Sequence, residues 1–413
     1  MNPEGNCIFV QSGGPTSVIN ASAAGVIKTA LLNNNAIPKV YAASYGIKGI
    51  LNHDIYDISL EDRNEIDLLL ATPGAVFGTS RYKLKPFEED DSDYRKVLDV
   101  FRKLNIRYLF YNGGNDSMDT CSKLNRYMKN SGYDCTIMGI PKTVDNDLEG
   151  TDHCPGFGSA AKFISTTVME MRLDAASYDT GMVIIMEIMG RNTGWLTAAS
   201  ALGMNEGLGP DLVYLPEKAF SINKFIDDVN GALAAKKVLI VTVSEGIKDN
   251  SGHYIADLSS ERIADSFGHK QLGGVATILG GILKEKINTR VRSMDIILSQ
   301  RCAAHCASET DVRESFIAGK SAVEYALQGK SGFMVGFERA NTGPYKCDVQ
   351  LVNVENAANR EKKVPLDWIT SEGNGITGSF FDYAFPLIQG EQKLVMVKGL
   401  PRFSRLKKIK VSF

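Results

Sequence analysis

The chain has 413 residues, enough for two or three domains with an ample core. Its hydrophobic fraction of 44% and formal net charge of −2 remove the electrostatic grounds for a nucleic-acid partner or an anionic membrane surface. No apolar run reaches the ~18 residues of a spanning helix, the first residues lack a signal-peptide pattern, and the seven scattered cysteines fit reduced thiols, so the expected compartment is the cytoplasm.

In chain order, Cys7–Gln11 predicts a strand, Ser12–Thr16 a loop and Val18–Leu32 a helix with apolar 3.6 periodicity. The acidic stretch Leu84–Asp93 is expected as a solvated loop. Arg107–Tyr111 is a second strand, followed by the polar break Asn112–Asp116 and a helix through Met128. Thr136–Ile140 precedes Pro141–Asp147, Met182–Ile188 precedes Met189–Gly194, and Val238–Val243 precedes Ser244–Gly246. After about Ala340 this rhythm fades. Strands alternating with helices predict parallel α/β sheets. The polar, glycine-rich breaks fall at the carboxyl ends of the strands, where ligands bind in open α/β sheets.

The breaks carry the chemistry. In QSGGPTSVIN, Gly13 and Gly14 lie between a strand and a helix, where bare backbone amides and the helix dipole suit a phosphate. An ordinary tight turn has the same appearance. In YNGGNDS, Asn115 and Asp116 offer oxygen ligands of the kind Mg²⁺ takes when it bridges to phosphates; taken alone, they also read as a helix cap. In IPKTVDND, Asp145 and Asp147 stand beside Lys142 and Thr143. A carboxylate there can take the proton of an attacking alcohol, although Asx-rich turns are common. Arg191 in MGRNTGW, Glu245 in SEG, Arg81 and Lys83 in GTSRYK, and Arg292 and Arg301 in VRSMDIILSQR complete a set of groups suited to an anionic sugar. Cys302, His305 and Cys306 share zinc-ligand residue types, but no fourth ligand accompanies them, and buried thiols beside a half-exposed histidine are the expectation.

Taken together and in this order, these motifs resemble the 6-phosphofructokinase family over roughly residues 6 to 340. The resemblance implies two Rossmann-like parallel-sheet α/β domains with the active site in the cleft between them. The expected division is a larger donor-binding domain over 1–155, a smaller sugar-binding domain over 156–300, and a returning segment with a C-terminal extension over 301–413. It implies Mg²⁺ as cofactor, fructose 6-phosphate as acceptor, and a homodimer or homotetramer. By resemblance, Asp145 takes the proton of the sugar 1-hydroxyl, Asp147 supports it, and Thr143 contacts the transferring group. Met189, Gly190, Arg191 and Glu245 hold the sugar. Arg292 and Arg301 hold its 6-phosphate, Arg292 from a neighbouring subunit. Gly13, Gly14 and Arg81 lie on the donor side.

Two positions bear on the donor. ATP-using members carry GGDGS and PGT where this chain has GGNDS and PKT, so Asp116 and Lys142 replace glycines. That pair resembles the pyrophosphate-dependent branch. A charged side chain at 116 would crowd and repel a nucleotide's α-phosphate, and a lysine at 142 would neutralise a departing phosphate. The alternatives are the same reaction with ATP, and a non-catalytic homologue that binds sugar phosphates. Two positions depart from the family pattern: Asn115 stands where an acid usually helps to bind Mg²⁺, and Met182 where many members carry a phosphate-binding arginine. The basic end of the chain, Arg402 to Lys410, is expected to belong to an added structural or oligomer-forming element.

Overall fold

The computed structural model describes residues 4–258, 274–340, 343–358 and 360–413. Eleven strands, among the described residues, make up two main sheets. They are β1 (Asn6–Gln11), β2 (Val40–Ala43), β3 (Ile55–Asp57), β4 (Ile106–Gly113), β5 (Thr136–Pro141), β6 (Met182–Ile188), β7 (Leu212–Tyr214), β8 (Val238–Ser244), β9 (Arg290–Asp295), β10 (Phe333–Arg339) and β11 (Cys347–Asn353). The first sheet has the order β11-β10-β5-β4-β1-β2-β3, and the second β7-β8-β6-β9. Every neighbouring pair is parallel except β10–β11 and β2–β3 at the two edges of the first sheet.

The central strands are covered on both sides, which is why their sequences read as unbroken apolar runs. Ile8 and Val10 of β1 join Leu109 and Tyr111 of β4 in one core, while Cys7 and Phe9 join Tyr108 and Phe110 in another. This is the two-residue alternation of a strand, with both faces buried. From β1 the chain turns to β2 on one side, and β4 lies on the other. The crevice between β1 and β4 is therefore the switch point at which doubly wound sheets bind ligands. The register brings the loops together there: Gln11 pairs with Asn112, and Gly113 with Pro141. In the second sheet Ile188 pairs with Ser244, so the sugar-side breaks also leave from one edge.

The predicted strands and helices all form, most of them a residue or two longer. The acidic stretch is only partly a solvated loop: Leu84 is buried, Phe87 packs edge-on against Tyr94 and Tyr127, and a helix begins at Ser92. An aspartate near a helix start is favoured by the dipole, which explains why an acidic run ends in a helix. The cysteines are all free. Cys302 is exposed and Cys306 half-buried, against the expectation of buried thiols, because this stretch folds as two short 3₁₀ turns instead of a packed helix.

Beyond Ala340 the rhythm fades because the chain stops making βα units. β11 pairs back antiparallel on β10, and later short helices bury Phe380, Tyr383 and Trp368 against Trp195 beside the second sheet. The tail then crosses to the far edge of the first sheet. Val411 donates to Ile55 O at 2.9 Å and the Asp57 amide to Ile409 O at 2.9 Å, closing an otherwise open strand edge. Its basic residues meet acidic groups of the chain itself: Arg402 pairs with Glu65, and Lys410 with Asp54 at 2.8 Å.

Candidate active site

The donor side is built on the loops after β1, β4 and β5. Gly13 has φ +79°, a left-handed conformation that glycine adopts without cost. It leaves room beside it for the Lys142 ammonium, and a Cβ on Gly14 would lie 3.2 Å from Arg301 Nη1. Lys142 follows the last residue of β5, and its amide donates to Gly113 O at 3.0 Å, which fixes where its stem begins. The residue is 3% exposed, and its ammonium donates to Gly14 O at 2.6 Å. Burial pulls Lys142 down to about 8, against the pull of Asp145 and Asp147, and Arg301 and Arg81 lower it further.

The base candidates follow at once. Thr143 makes a parallel bridge to Gly156, and its Oγ1 accepts from the Asp145 amide at 3.1 Å. Burial raises the proton affinity of Asp145, with Lys142 and Arg301 opposing. Asp147 is pushed up to about 7 by burial and by the charge of Asp145. Asn115 donates through Nδ2 to Asp147 at 3.2 Å, which leaves Asn115 Oδ1 buried without a partner, as is Asp145 Oδ1. Such unsatisfied oxygens are costly unless something fills the site. Asp116, in the first turn of helix Asn115–Asn130, is exposed.

The sugar side comes from the second sheet. Glu245, after β8, accepts from the Gly190 amide at 3.4 Å and is pushed up to about 7 by burial, with Asp145 among the charges that raise it. The loop Met189–Trp195 is locked to this turn: a Cβ on Gly246 would strike Arg191 O, and Ser244 Oγ donates to Gly190 O. Thr193 Oγ1 donates to Asp145 O at 3.2 Å, so the two loops touch. Arg191 is half-buried and Arg81 exposed.

The structure thus gathers Gly13, Gly14, Lys142, Thr143, Asp145, Asp147, Asn115 and Arg301, with Gly190 and Glu245 facing them. Arg301 abuts the donor loop through Gly14. Arg292 is not gathered. It is exposed on β9, an edge strand, and lines an open cavity of about 790 Å³ together with Met182 at the start of β6. Arg292 is in register with Ile184, so Ile188 and the sugar loop lie four residues further along β6, ~13 Å away at ~3.3 Å per residue.

Several site neighbours escaped sequence reasoning. Gln300 is buried with both amide atoms unpaired, beside Arg301. Glu361 raises the proton affinity of both Asp145 and Asp147. Lys362 and Tyr383 bond directly to the loop of the two aspartates. The run REKKVPLDW has no periodic or glycine signal; only its placement in space marks it.

A glycine loop at a strand end, a buried lysine beside it, and paired carboxylates of raised proton affinity form the apparatus of phosphoryl transfer to a hydroxyl. The sequence matches the phosphofructokinase family over residues 6–297, and the chain belongs to that family. It is 42% identical over 409 residues to the pyrophosphate–fructose 6-phosphate 1-phosphotransferase of Halomonas elongata, covering 98% of this chain and 97% of that one. A solved structure of a pyrophosphate-dependent phosphofructokinase from Marinobacter aquaeolei matches it with a TM-score of 0.90 at 40% identity, over 99% of this chain and 98% of that one. The enzyme of the same description from Nitrosospira multiformis matches with a TM-score of 0.90 at 37% identity and the same coverage.

Proposed function

We infer that this protein transfers a phosphoryl group reversibly from pyrophosphate to the 1-hydroxyl of fructose 6-phosphate, giving fructose 1,6-bisphosphate and phosphate. The observation that carries the choice of donor is the buried Lys142 ammonium lodged against the Gly13–Gly14 loop. A buried cation at that point stabilises a simple phosphate leaving group. The full-length similarity to enzymes of that description supports the same reading.

In the proposed step, the sugar O1 attacks the near phosphorus in line, the bond to the departing phosphate breaks, and the hydroxyl proton passes to Asp145. Asp147 and Thr143 hold Asp145, while Lys142, Arg81, Arg191 and Arg301 spread the charge of the transfer. Glu245 and the Met189–Arg191 backbone take the sugar. The partnerless Oδ1 atoms of Asn115 and Asp145 form an all-oxygen donor set that fits a hard divalent cation. Asn115, with Asp116 from the same turn, is proposed to hold Mg²⁺, which would neutralise phosphate charge when bound. The first sheet with the donor loops, the second with the sugar loops, and the returning segment are proposed as the three parts of a two-domain cleft enzyme of the cytoplasm. Arg292 on its exposed edge is proposed to serve the site of a second copy in a homodimer or homotetramer.

The test is the initial rate of purified protein with fructose 6-phosphate and Mg²⁺, comparing pyrophosphate with ATP. A preference for pyrophosphate is expected. A preference for ATP would overturn the donor, and turnover with neither would leave a sugar-phosphate-binding protein, which calorimetry with fructose 6-phosphate would register.

A further inference from the structure

The groups assigned to the reaction end at Arg301, yet the loop carrying the proposed base is tied down by residues further along the chain, outside the family match. Asn146, between the two aspartates, has φ +55°. This is a left-handed conformation, which asparagine adopts more readily than most residues other than glycine. Its side chain is clamped at both ends: Oδ1 accepts from the Cys154 amide at 2.9 Å, and Nδ2 donates to Tyr383 OH at 2.7 Å. Tyr383 OH in turn donates to Asp152 O at 2.8 Å.

A second attachment is made one residue further along the base loop. The Lys362 amide donates to Asp147 O at 2.8 Å, and Lys362 O accepts from the Trp195 indole at 2.8 Å. The Lys362 ammonium donates to Thr151 O at 3.0 Å and to Asp152 O at 2.7 Å. Next to it, Glu361 accepts from Asn192 at 2.6 Å, one residue beyond Arg191. The bonds to Asn146 and Asp147 end on the base loop of the first sheet, those to Asn192 and Trp195 on the sugar loop of the second, and Lys362 reaches both loops.

We propose that the segment 361–383 is a staple that holds the Thr143–Asp147 loop and the Met189–Trp195 loop at the separation that phosphoryl transfer needs. Tyr383 and Lys362 act as positioning residues through Asn146 and Asp147, and touch no reacting atom. The proposal rests on the reading of Asp145 as the base. In-line transfer is steep in geometry, and a misplacement of ~1 Å costs about 10²-fold in rate. Loosening the staple should therefore reduce kcat far more than it weakens pyrophosphate binding, because Lys142, at the head of the loop, keeps its own anchors on Gly113 O and Gly14 O and the Gly13–Gly14 loop is untouched.

The experiment compares Tyr383→Phe, which keeps the ring in its aromatic cluster, and Glu361→Ala, at an exposed position, with the wild type. It combines steady-state kinetics with hydrogen exchange of peptides spanning 143–152 and 189–195. The expected result is a kcat lower by about tenfold or more, a KM for pyrophosphate within about twofold, and faster exchange in both peptides. Exchange and kcat both within about twofold of wild type in both variants would overturn the staple. So would a lower kcat with unchanged exchange, since positioning would then not be what was lost. If the wild type turned over no pyrophosphate, the functional reading would fail while the exchange measurements would still decide whether the staple exists.

Discussion

Lys142→Met separates a residue kept for chemistry from one kept for stability. The substitution preserves the buried stem and removes the charge. Burial holds the native ammonium at about 8, against 10.5 for a free lysine. A drop of that size corresponds to ~3 kcal/mol of stability forgone at neutral pH by burying the charged form. The sign follows from proton counts. Between about 8 and 10.5 the native state holds fewer protons on this group than the unfolded chain, so stability climbs as pH rises through that window. Methionine abolishes the climb. It also orphans Gly14 O, which now accepts from the ammonium at 2.6 Å, at a cost of about 1–3 kcal/mol. The two terms nearly cancel at pH 7, and the variant should be about as stable as the wild type. Catalysis should fare differently, because loss of a preorganised cation costs about 2–4 kcal/mol of transition-state stabilisation, or roughly 30- to 1000-fold in turnover. Urea denaturation at pH 7 and pH 9, with turnover measured on pyrophosphate, reads both. Turnover within about twofold of wild type would refute the role of Lys142 in the transfer. A variant whose stability rises from pH 7 to pH 9 as much as that of the wild type would refute the buried charge.

Asp145→Ala should lower kcat by about 10²–10⁴ while fructose 6-phosphate still binds, as equilibrium calorimetry would show; a variant keeping more than about half of wild-type turnover would remove Asp145 from the role of base. Asp116→Gly should gain detectable ATP turnover, since it removes an exposed anion from a helix start that otherwise favours phosphate. A donor ratio unchanged within about twofold would show that Asp116 does not select the donor.

How much was legible follows from what each signal depends on. The buried central strands announce themselves through apolar runs bounded by glycine and aspartate, so β1, β4, β5, β6 and β8 are found with their loops, and with the loops come the site residues they carry. Lys142, Asp145 and Glu245 were visible because chemistry at a strand end needs particular residue types within a few positions. Arg292 and Arg301 show the limit: nine residues apart in sequence, they part company in space, one on an exposed edge and the other against Gly14. No local pattern distinguishes them. Glu361, Lys362 and Tyr383 were illegible for a related reason. Their partners lie about 170 to 240 residues earlier: Lys362 and Tyr383 reach the backbone carbonyls of Thr151 and Asp152, and Tyr383 and Glu361 reach the side chains of Asn146 and Asn192, and contacts so remote leave no local mark on sequence.

The proposed base and the buried lysine share one set of charges. Asp145 faces Lys142, Arg301 and Arg81 on the donor side, with Asp147, Glu361 and Glu245 as neighbouring anions. Lys142 faces the same two aspartates and the same two arginines. A bound pyrophosphate adds net negative charge to this enclosure, even with a divalent cation. That charge favours the protonated form of both groups: it raises the proton affinity of Asp145, making it a stronger base, and keeps Lys142 charged to higher pH. In the free enzyme the aspartate pair titrates as a unit, with Asp147 at about 7, and Lys142 at about 8. The profile of kcat/KM for pyrophosphate should therefore be a narrow bell, failing on the acid side as the pair takes up a proton and on the alkaline side as Lys142 loses one. The profile of kcat reports the loaded enzyme, and both of its limbs should lie to the alkaline side. A displacement of one pH unit corresponds to about 1.4 kcal/mol of interaction between donor and group, a modest value for charges sharing a buried site. Coincident limbs, or limbs displaced towards acid, would mean that the donor does not sit beside Lys142 and Asp145. In Lys142→Met the alkaline limb near 8 should vanish from kcat/KM while the acid limb remains, which ties each limb to the group that causes it.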